Sequence, residues 1–358
     1  MLADMGAEVV KIERPDGGDD LRTVHRYEDR EEHEDYFYAN NRSKKSVTLN
    51  LKDPQGRAAA HELAGRADVL VENFSPGTAH RFGMGWEDLS PLNPRLVYCS
   101  LSGFGQDGPY RDRPGLDPII QAVSGLMSVT GLPEEEPRMV GTPIADVMAG
   151  MFFAFAIVSA LHAVRREGRG RRIDVSLQDA MLASIGPRMG ETLQARAAPG
   201  RWGNENPMRV PANTYRTADG RYIAVIIQND RFWPPFCRAI EREDPIGVER
   251  FATLAGRRAH RGDLDRIAAK AFGGRTAGAW TPRLDAERIP FALMNDFAEA
   301  LDDPQAVHRG IVRELGHPAS GPIRVAGPPW VMTGPQAEMT PPPLLGQHTE
   351  EVLGGWLG

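Results

Sequence analysis

One aspartate, Asp146, lies at the predicted start of an apolar helix, where its carboxylate could act as a nucleophile. Asp146 directly precedes a stretch without charge, Val147 to Val164, which predicts an apolar helix. A carboxylate at that point can accept hydrogen bonds from the first N–H groups of the helix, and the residues alone favour this N-cap role. The alternative is a nucleophile that forms a covalent intermediate, with backbone N–H groups near the helix start stabilising the oxyanions that develop.

A glycine-rich segment, residues 103–108 (GFGQDG), fits the pattern G-x-G-x-x-G of dinucleotide-binding loops. That function requires a helix to begin at the glycines, so that its first N–H groups face the pyrophosphate. Pro109 and Pro114 instead bracket a turn-prone segment, and no acidic residue ends a strand about twenty residues later. We therefore interpret the segment as a plain loop, and an NAD-dependent dehydrogenase is a distant alternative.

Basic residues are frequent in the first quarter of the chain, although the formal net charge of all 358 residues is −6. A nucleic-acid-binding protein normally carries a basic face, so the acidic balance disfavours that class. The early basic residues are Lys11, Arg14, Arg42, Lys44, Lys45, Lys52 and Arg81. They could form a local site for a phosphate-bearing ligand, although we interpret Lys11 and Lys44 as ordinary surface residues.

Neither a metal site nor a targeting segment is indicated. The nine histidines show no His-Glu-x-x-His spacing, and Cys99 and Cys237 are the only cysteines, so we expect no bound metal and no disulfide framework. Two cysteines fit a reducing, cytoplasmic compartment, and charged residues follow Met1 too closely for a secretory signal. The stretch 147–164 just reaches the length of a membrane span, but small and polar residues dilute it. We therefore favour a buried core helix and expect no membrane contact.

The spacing of apolar residues predicts alternating strands and helices in the first half of the chain. Asp53 and Pro54 predict the N-cap and first residue of a helix that runs to about Ala67. Further helices are expected over 116–129 and from residue 147 onward. The predicted strands are residues 9–12, 46–51, 68–74, 96–101 and 173–177. Short apolar runs that alternate with helices are typical of a parallel sheet covered on both faces.

The chain is too long for one ordinary core, so two domains are expected. Composition changes at 195–207 (ARAAPGRWGNENP), which is typical of a linker. We predict a large α/β domain over 1–194 and a smaller α+β domain over 208–321. The smaller domain is expected to hold a strand at 222–227 and helices near 231–240 and 264–272.

Seven segments, in this order, resemble the class III CoA-transferase family (CaiB/BaiF), which includes formyl-CoA transferases and α-methylacyl-CoA racemases. They are residues 2–14 (LADMGAEVVKIER), 41–46 (NRSKKS), 71–77 (VENFSPG), 102–105 (SGFG), 121–125 (QAVSG), 144–146 (IAD) and 343–350 (PLLGQHTE). Each motif is modest alone, but the ordered set spans nearly the whole chain. Family members begin with an extra strand that contributes to CoA binding and that this sequence lacks. We expect either a truncated start or a differently built sheet edge, and an inactive CoA-binding relic is an alternative.

The resemblance implies an open, doubly wound (Rossmann-like) parallel sheet in the large domain, which residues 322–358 complete, and an interlocked homodimer. It implies coenzyme A and acyl-CoA as substrates, with no prosthetic group. The family's nucleotide-contacting positions fall on Arg14, Leu49, Asn50, Leu51, Lys52, Asn73, Phe74, Ser75 and Arg81, and those lining the thioester end of CoA fall on Leu116 and Asp117. Arg14 and Arg81 could bind phosphate bidentately, whereas Leu49 and Leu51 could equally belong to the sheet core.

By the same resemblance, Asp146 is the catalytic residue of a transferase that moves CoA from an acyl-CoA donor to a free carboxylic acid. Its carboxylate attacks the thioester to give a mixed anhydride, and the returning CoA thiolate gives an aspartyl-CoA thioester. The family's racemases use a histidine where this chain has Leu116, and an isobutyl group cannot move a proton, so a racemase is only an alternative. Oxalate–formate members carry a glycine run in the small domain where residues 201–215 contain only Gly203, which favours a different, larger acid.

Overall fold

The computed structural model describes residues 1–23, 35–334 and 336–357. In chain order the first elements are β1 (Val9–Glu13), α1 (Asp35–Asn41), β2 (Lys44–Thr48), α2 (Pro54–Arg66), β3 (Val69–Glu72), α3 (Thr78–Arg81), α4 (Trp86–Leu89), β4 (Val97–Ser102), α5 (Asp117–Val123), α6 (Ile144–Glu167), β5 (Arg171–Ser176), α7 (Leu177–Ser184) and α8 (Gly186–Ala195). They are followed by β6 (Ala212–Arg216), β7 (Tyr222–Ile226), α9 (Trp233–Ala239), α10 (Leu254–Ala259), α11 (Arg261–Phe272), α12 (Ala277–Ala286), β8 (Phe291–Leu293), α13 (Phe297–Leu301), α14 (Pro304–Arg309), β9 (Val312–His317), β10 (Gly321–Ala326) and α15 (Thr349–Leu357).

The chain forms two compact units. The first comprises residues 1–124, 141–187 and 301–358, and the second comprises residues 125–140 and 188–300. The predicted large domain comprises residues 1–194 completed by 322–358, and the predicted small domain comprises residues 208–321. The units differ from them because residues 125–140 belong to the second unit and residues 301–321 to the first.

The first unit contains a three-stranded parallel sheet in the order β3-β4-β5. Successive side chains of a strand point to opposite faces. Val97 and Cys99 of β4 pack against Phe153 and Ile157 of α6, while Tyr98 packs on the other face with residues of α2 and α4. The prediction of parallel strands covered by helices on both faces is therefore confirmed for this sheet.

β1 and β2 form a separate parallel sheet, in which Val9 lies opposite Lys44. β2 begins two residues earlier than predicted, and Leu49 and Leu51 follow it and pack with residues of α2 and α15. Within the described ranges β1 pairs only with β2 and β3 only with β4, so the parallel strands form two sheets where one was predicted. The apolar run of the sequence continues beyond the strand into core residues, which explains why the strand was predicted to end at residue 51 and not at residue 48.

Helix α6 places Asp146 in its first turn and Gly168, with a φ of 72°, directly after its end. One face of the helix, including Ala149 and Phe153, is buried, but Phe155 on the other face is 73% exposed. The prediction of a buried core helix is therefore wrong for half of its surface. Among the described residues α6 alone is long and apolar enough to cross a membrane, a test that core helices also pass.

The second unit combines an antiparallel sheet with helices. The strand order is β6-β7-β8, with Tyr215 opposite Ile223 and Ile223 opposite Leu293. An aromatic core that includes Trp233 and Phe272 packs beneath this sheet with residues of α9, α11 and α12. The strand predicted at 222–227 and the helices predicted near 231–240 and 264–272 are confirmed, with small shifts of their ends.

Candidate active site

Eight of the nine residues predicted to contact a nucleotide follow the carboxyl ends of three parallel strands, and the ninth, Arg81, ends α3. Arg14 follows β1, residues 49–52 follow β2, and residues 73–75 follow β3. Ligands of α/β proteins bind beyond the carboxyl ends of parallel strands. These eight positions therefore lie at the strand ends where a nucleotide is expected.

The two predicted phosphate-binding arginines are engaged differently. Nη2 of Arg14 donates to Asp20 at 2.6 Å, and its Nε donates to the backbone oxygen of Asp16 at 2.8 Å. Arg81 donates only to the hydroxyl of Thr78, at 2.7 Å, and has no carboxylate partner among the described residues. Arg81 is therefore the more available of the two guanidinium groups.

The segment after β2 divides into core and surface residues. The side chain of Leu49 is 8% exposed, and Leu51 packs in the same cluster, so both side chains belong to the sheet core. Asn50 is exposed and its side chain accepts a hydrogen bond from the N–H of Lys52 at 3.0 Å. The side chain of Lys52 is exposed. A ligand could reach Leu49 and Leu51 only through their backbone, as the sequence allowed.

The segment after β3 is exposed and tied to the neighbouring strand. The side-chain amide of Asn73 donates to the backbone oxygen of Leu101, the penultimate residue of β4, at 2.7 Å. Phe74 is 40% exposed, and Ser75 is exposed as well. An exposed aromatic ring beside a rigid strand end can stack on a nucleotide base.

Asp146 is the third residue of α6, and Pro143 occupies the N-cap position. The N-cap role that the residues alone favoured is therefore wrong, because the position lies too far inside the helix. Asp146 is exposed, and within the described ranges its carboxylate forms no hydrogen bond or ion pair. A carboxylate without a partner at the surface of the first helical turn is accessible to a ligand.

A second carboxylate, that of Asp117, fixes the start of α6. Asp117 is 8% exposed, and its Oδ1 accepts the backbone N–H of Ala145 at 2.7 Å. Its Oδ2 accepts a hydrogen bond from the side-chain amide of Gln121, also at 2.7 Å. Asp117 therefore joins the first turn of α5 to the residue immediately before Asp146.

The charge of Asp117 acts on Asp146 as well. The pKa of Asp146 is raised above its ordinary value, mainly because part of its carboxyl group is buried. The nearby negative charge of Asp117 is the second, smaller cause. The side chain is solvent-exposed on one side, so this burial is partial. A raised pKa means that this environment favours the uncharged state of Asp146 more than water does.

Sequence reasoning placed Leu116 and Asp117 together but missed the role of Gln121. Leu116 is 72% exposed at the N-cap position of α5, while Asp117 faces inward. Gln121 is fully buried. Gln121 and Asp117 are four residues apart on one helix, a spacing that predicts contact between their side chains. The hydrogen bond between Ala145 and Asp117 joins residues 28 apart, and no local pattern of the sequence indicates it.

The glycine-rich segment is a loop, as predicted. No helix begins at Gly103, and the next helix, α5, starts only at Asp117. The two ends of the loop touch, because a Cβ at Gly103 would lie 2.6 Å from the Cα of Gly115. Glycine is required here for close backbone approach and not for a pyrophosphate at a helix start.

Comparison with known proteins decides the family. Residues 1–349 match the family described as CoA-transferase family III. The chain belongs to this family. The human succinyl-CoA:glutarate CoA-transferase is 35% identical over 353 residues, which cover 98% of this chain and 80% of the human protein. The succinyl-CoA–D-citramalate CoA-transferase of Chloroflexus aurantiacus is 34% identical over 361 residues, which cover 100% of this chain and 89% of that protein.

The fold agrees with the family. The crystal structure of a CAIB/BAIF family protein from Brucella suis matches with a TM-score of 0.89 at 31% identity, covering 99% of this chain and 93% of that one. The predicted resemblance is confirmed, as is a mixed α/β fold with parallel sheets. The family III CoA-transferase described here is therefore an enzyme that transfers CoA and uses acyl-CoA as substrate.

Proposed function

We propose that this CoA-transferase moves CoA from a dicarboxylic acyl-CoA, such as succinyl-CoA, to a second dicarboxylic acid through intermediates on Asp146. The observation that carries the proposal is an unpaired carboxylate in the first turn of α6, held beside a second, buried carboxylate. The dicarboxylic substrates are inferred from the two relatives above, whose names give succinyl-CoA with glutarate or D-citramalate. The single glycine within residues 201–215 agrees with an acid larger than oxalate.

The reaction requires four acyl transfers. An oxygen of Asp146 attacks the thioester carbonyl, the C–S bond breaks, and CoA thiolate leaves an acyl-aspartyl anhydride. The thiolate attacks the aspartyl carbonyl and releases the first acid, so that CoA is bound to Asp146 as a thioester. The second acid attacks this thioester through its carboxylate, expels CoA thiolate and forms a new anhydride. The thiolate then attacks the acyl carbonyl of that anhydride, which forms the product and frees Asp146.

Asp117 favours these intermediates electrostatically. The free carboxylate of Asp146 is negative, whereas the anhydride and the thioester formed from the same carboxyl group are neutral at that group. The negative charge of Asp117 therefore destabilises the resting carboxylate relative to both intermediates. Because Asp117 also binds the N–H of Ala145, it positions the nucleophile that it activates.

The racemase alternative lacks one of its chemical groups. Exchange of an α-proton requires two groups that can carry a proton. Leu116 stands at the head of α5, where the resemblance puts the racemase histidine, and its side chain carries no proton. We therefore favour transfer over racemisation.

The finer architecture belongs to the proposal as well. Helix α2 contributes Leu63 to the core over β2 and Ala64 to the core over β4, which supports a doubly wound arrangement of the parallel strands. The exposed apolar face of α6 supports a homodimer. The interlocked arrangement of its two chains is inferred only from the family resemblance. Cys99 and Cys237 are both free and buried, which is compatible with a cytoplasmic enzyme.

Mass spectrometry of the intact protein and its peptides tests the chemistry. After incubation with succinyl-CoA in the absence of an acceptor, we expect the mass of CoA on the peptide that contains Asp146. Addition of glutarate should discharge the adduct and form glutaryl-CoA. Asp146→Ala should form no adduct and lose at least about 10³-fold in kcat, because a covalent route is removed.

Asp179 offers a matched control, because it is an exposed aspartate in the same unit and the third residue of its own helix, α7. Asp179→Ala should retain transfer and the adduct. Turnover near the wild-type rate in Asp146→Ala would falsify the assignment. An adduct on another residue would move the nucleophile elsewhere and leave the CoA-transferase family membership unaffected.

A further inference from the structure

Two guanidinium groups flank Gly77, the residue directly before α3. A Cβ placed on Gly77 would lie 3.4 Å from Nη2 of Arg111 and 3.9 Å from Nη1 of Arg81. Arg81 ends α3, while Arg111 comes from the glycine-rich loop after β4. Gly77 has a φ of +80°, a conformation that favours glycine, and its lack of a side chain keeps the space between the two arginines open.

The charges of these two arginines are poorly neutralised. The nearest carboxylate to Arg111 is that of Asp112, whose oxygen lies 3.7 Å from Nε, and Arg81 donates only to the hydroxyl of Thr78. By contrast, the guanidinium groups of three other arginines in the first unit lie 2.6 to 2.8 Å from carboxylate oxygens. These pairs are Arg14–Asp20, Arg22–Glu13 and Arg42–Asp4. Two like charges held near each other, with a single counter-ion at 3.7 Å, favour the binding of an anion.

The loop that carries Arg111 is held in place at several points. The N–H of Gln106 donates to Asp174 at 2.8 Å. The ring of Tyr110 packs edge-on against Phe104, with centroids 5.6 Å apart, and the guanidinium of Arg113 lies 3.8 Å above Tyr110. Arg111 is therefore presented by an ordered loop, which reduces the entropic cost of binding a ligand.

The loop also borders a depression of about 570 Å³ beside the β3-β4-β5 sheet. Its lining includes Gly77, two arginines, Arg111 and Arg172, and four acidic residues, Glu72, Glu87, Asp107 and Asp174. Glu72 and Asp174 accept backbone N–H groups, of Phe74 and Gln106 respectively, each at 2.8 Å. These two acidic side chains therefore each already hold one of the segments that carry Arg81 and Arg111.

We propose that Arg111 is a second phosphate ligand of the CoA site and that it binds one CoA phosphate jointly with Arg81 across Gly77. Charge-assisted hydrogen bonds of about 2.8 Å from each guanidinium can reach two oxygens of the same phosphate. The inference rests on the proposed use of CoA by the first unit. It also gives the glycine-rich loop a role. The loop would bind the phosphate through the side chain of Arg111 and not through the N–H groups at the start of a helix.

Direct binding measurements test this inference. CoA and 3′-dephospho-CoA are titrated into wild-type protein, Arg111→Gln, Arg111→Lys and the control Arg95→Gln, with unfolding curves checking that each variant is folded. Arg95→Gln removes the same charge from an exposed arginine of the first unit that precedes β4, at the opposite end of that strand from the loop. We expect Arg111→Gln to raise the Kd for CoA by about 10- to 100-fold, the loss of a charge-assisted hydrogen bond. Arg111→Lys should recover part of this loss, and Arg95→Gln should stay within about threefold of wild type, since it loses only a distant charge.

The ligand pair identifies the phosphate. If Arg111 binds the 3′-phosphate, the effect of Arg111→Gln should be small with 3′-dephospho-CoA, whereas an unchanged effect assigns it to the diphosphate. Equal Kd values for Arg111→Gln and Arg95→Gln would overturn the inference even if wild-type protein transfers CoA. Wild-type protein that binds CoA with this arginine dependence but transfers it to no acid would instead overturn the proposed function alone. Absence of CoA binding by wild-type protein would overturn both.

Discussion

Two carboxylates with opposite environments define the chemistry at the scale of single residues. Asp117 is buried and its carboxylate accepts two hydrogen bonds. Asp146 is exposed, unpaired and close enough to feel that charge. Neighbouring carboxylates that lie in different environments are typical of active sites. The sequence identified both residues by resemblance, but only the three-dimensional contact shows how one acts on the other.

Replacement of Asp117 by asparagine separates charge from position. Asparagine can still accept the N–H of Ala145 but carries no charge, so the pKa of Asp146 should fall towards its ordinary value. Because the nucleophile must be ionised, the acid limb of the pH profile of kcat/KM should move to lower pH. The plateau rate should fall by no more than about tenfold, since a less basic carboxylate is a weaker nucleophile.

Asp117→Ala is the companion variant, because it removes both the charge and the acceptor. A buried N–H without an acceptor costs about 1–3 kcal/mol, so this variant should lose stability and kcat together. Substrate acids titrate identically with all three proteins, so differences between the profiles belong to the enzyme. An acid limb that stays in place in Asp117→Asn would contradict the electrostatic role of Asp117.

At the scale of elements, distant motifs meet in a structural junction. Glu13 at the end of β1 pairs with Arg22 at 2.8 Å and accepts the hydroxyl of Ser46 at 2.6 Å. The oxygen of Ser46 in turn accepts the N–H of Gly346, and the N–H of His348 donates to the backbone of Ser46. Residues from three motifs noted in the sequence therefore serve to attach the C-terminal segment to the β1-β2 sheet.

Glu13→Gln tests this junction. Glu13 and Arg22 are 4% and 7% exposed, and removal of one partner from a buried ion pair costs several kcal/mol, here about 3 kcal/mol. Burial alone raises the pKa of Glu13, but hydrogen bonds from Arg22 and Ser46 outweigh it and keep the pKa below its ordinary value. Its contribution is thus present above the unfolded-state pKa of about 4.3 and is lost as the pH falls through the folded-state pKa. Urea unfolding at pH 7 and in acid should show the two proteins converging at low pH.

Glu8→Gln provides the comparison, because Glu8 pairs with Lys45 at 2.7 Å on the surface. An exposed pair contributes less than about 1 kcal/mol, so this variant should unfold close to wild type. Similar losses in Glu8→Gln and Glu13→Gln would contradict a special role for the buried junction.

Local signals predicted individual elements well. Asp53 caps α2 through a hydrogen bond to the N–H of Gln55, and α2 ends one residue before the predicted Ala67. The helix predicted over 116–129 instead ends at Val123, because Gly125 adopts a φ of 86° and a separate 3-10 turn follows. The pattern of neighbouring residues indicates helix caps and periodicity, but it does not show that α2 packs against both β2 and β4.

At the scale of the whole molecule, the units were harder to predict than the elements. The linker composition of 195–207 pointed to a boundary, and the second unit does begin its long segment nearby, at residue 188. Residues 125–140 join the second unit although the first unit precedes and follows them, and the first unit resumes at residue 301 and not at the predicted 322. Their placement depends on contacts between distant residues, for which composition gives no signal.

The exposed apolar face of α6 leads to the prediction for the assembled protein. Val147, Met151, Phe155 and Val158, spaced by three or four residues, are between 48% and 73% exposed. A stripe of large apolar side chains on a soluble protein marks an interface. We infer that a second copy of the chain covers this apolar face. A membrane-spanning α6 is disfavoured, because the opposite face of the helix packs tightly against the parallel sheet.

Sedimentation velocity of the wild type and Phe155→Glu checks this inference. The wild type should sediment as a dimer, and a buried, unpaired charge at the interface should shift Phe155→Glu towards monomer by at least about 2 kcal/mol of association free energy. Phe297→Glu is the matched control, because Phe297 is 87% exposed and lies in the second unit. A wild-type monomer, or an equal effect of both substitutions, would contradict the interface. Flotation of wild-type protein with liposomes, abolished by Phe155→Glu, would assign the same apolar face to a membrane, since the charge would then act against lipid and not against a second chain.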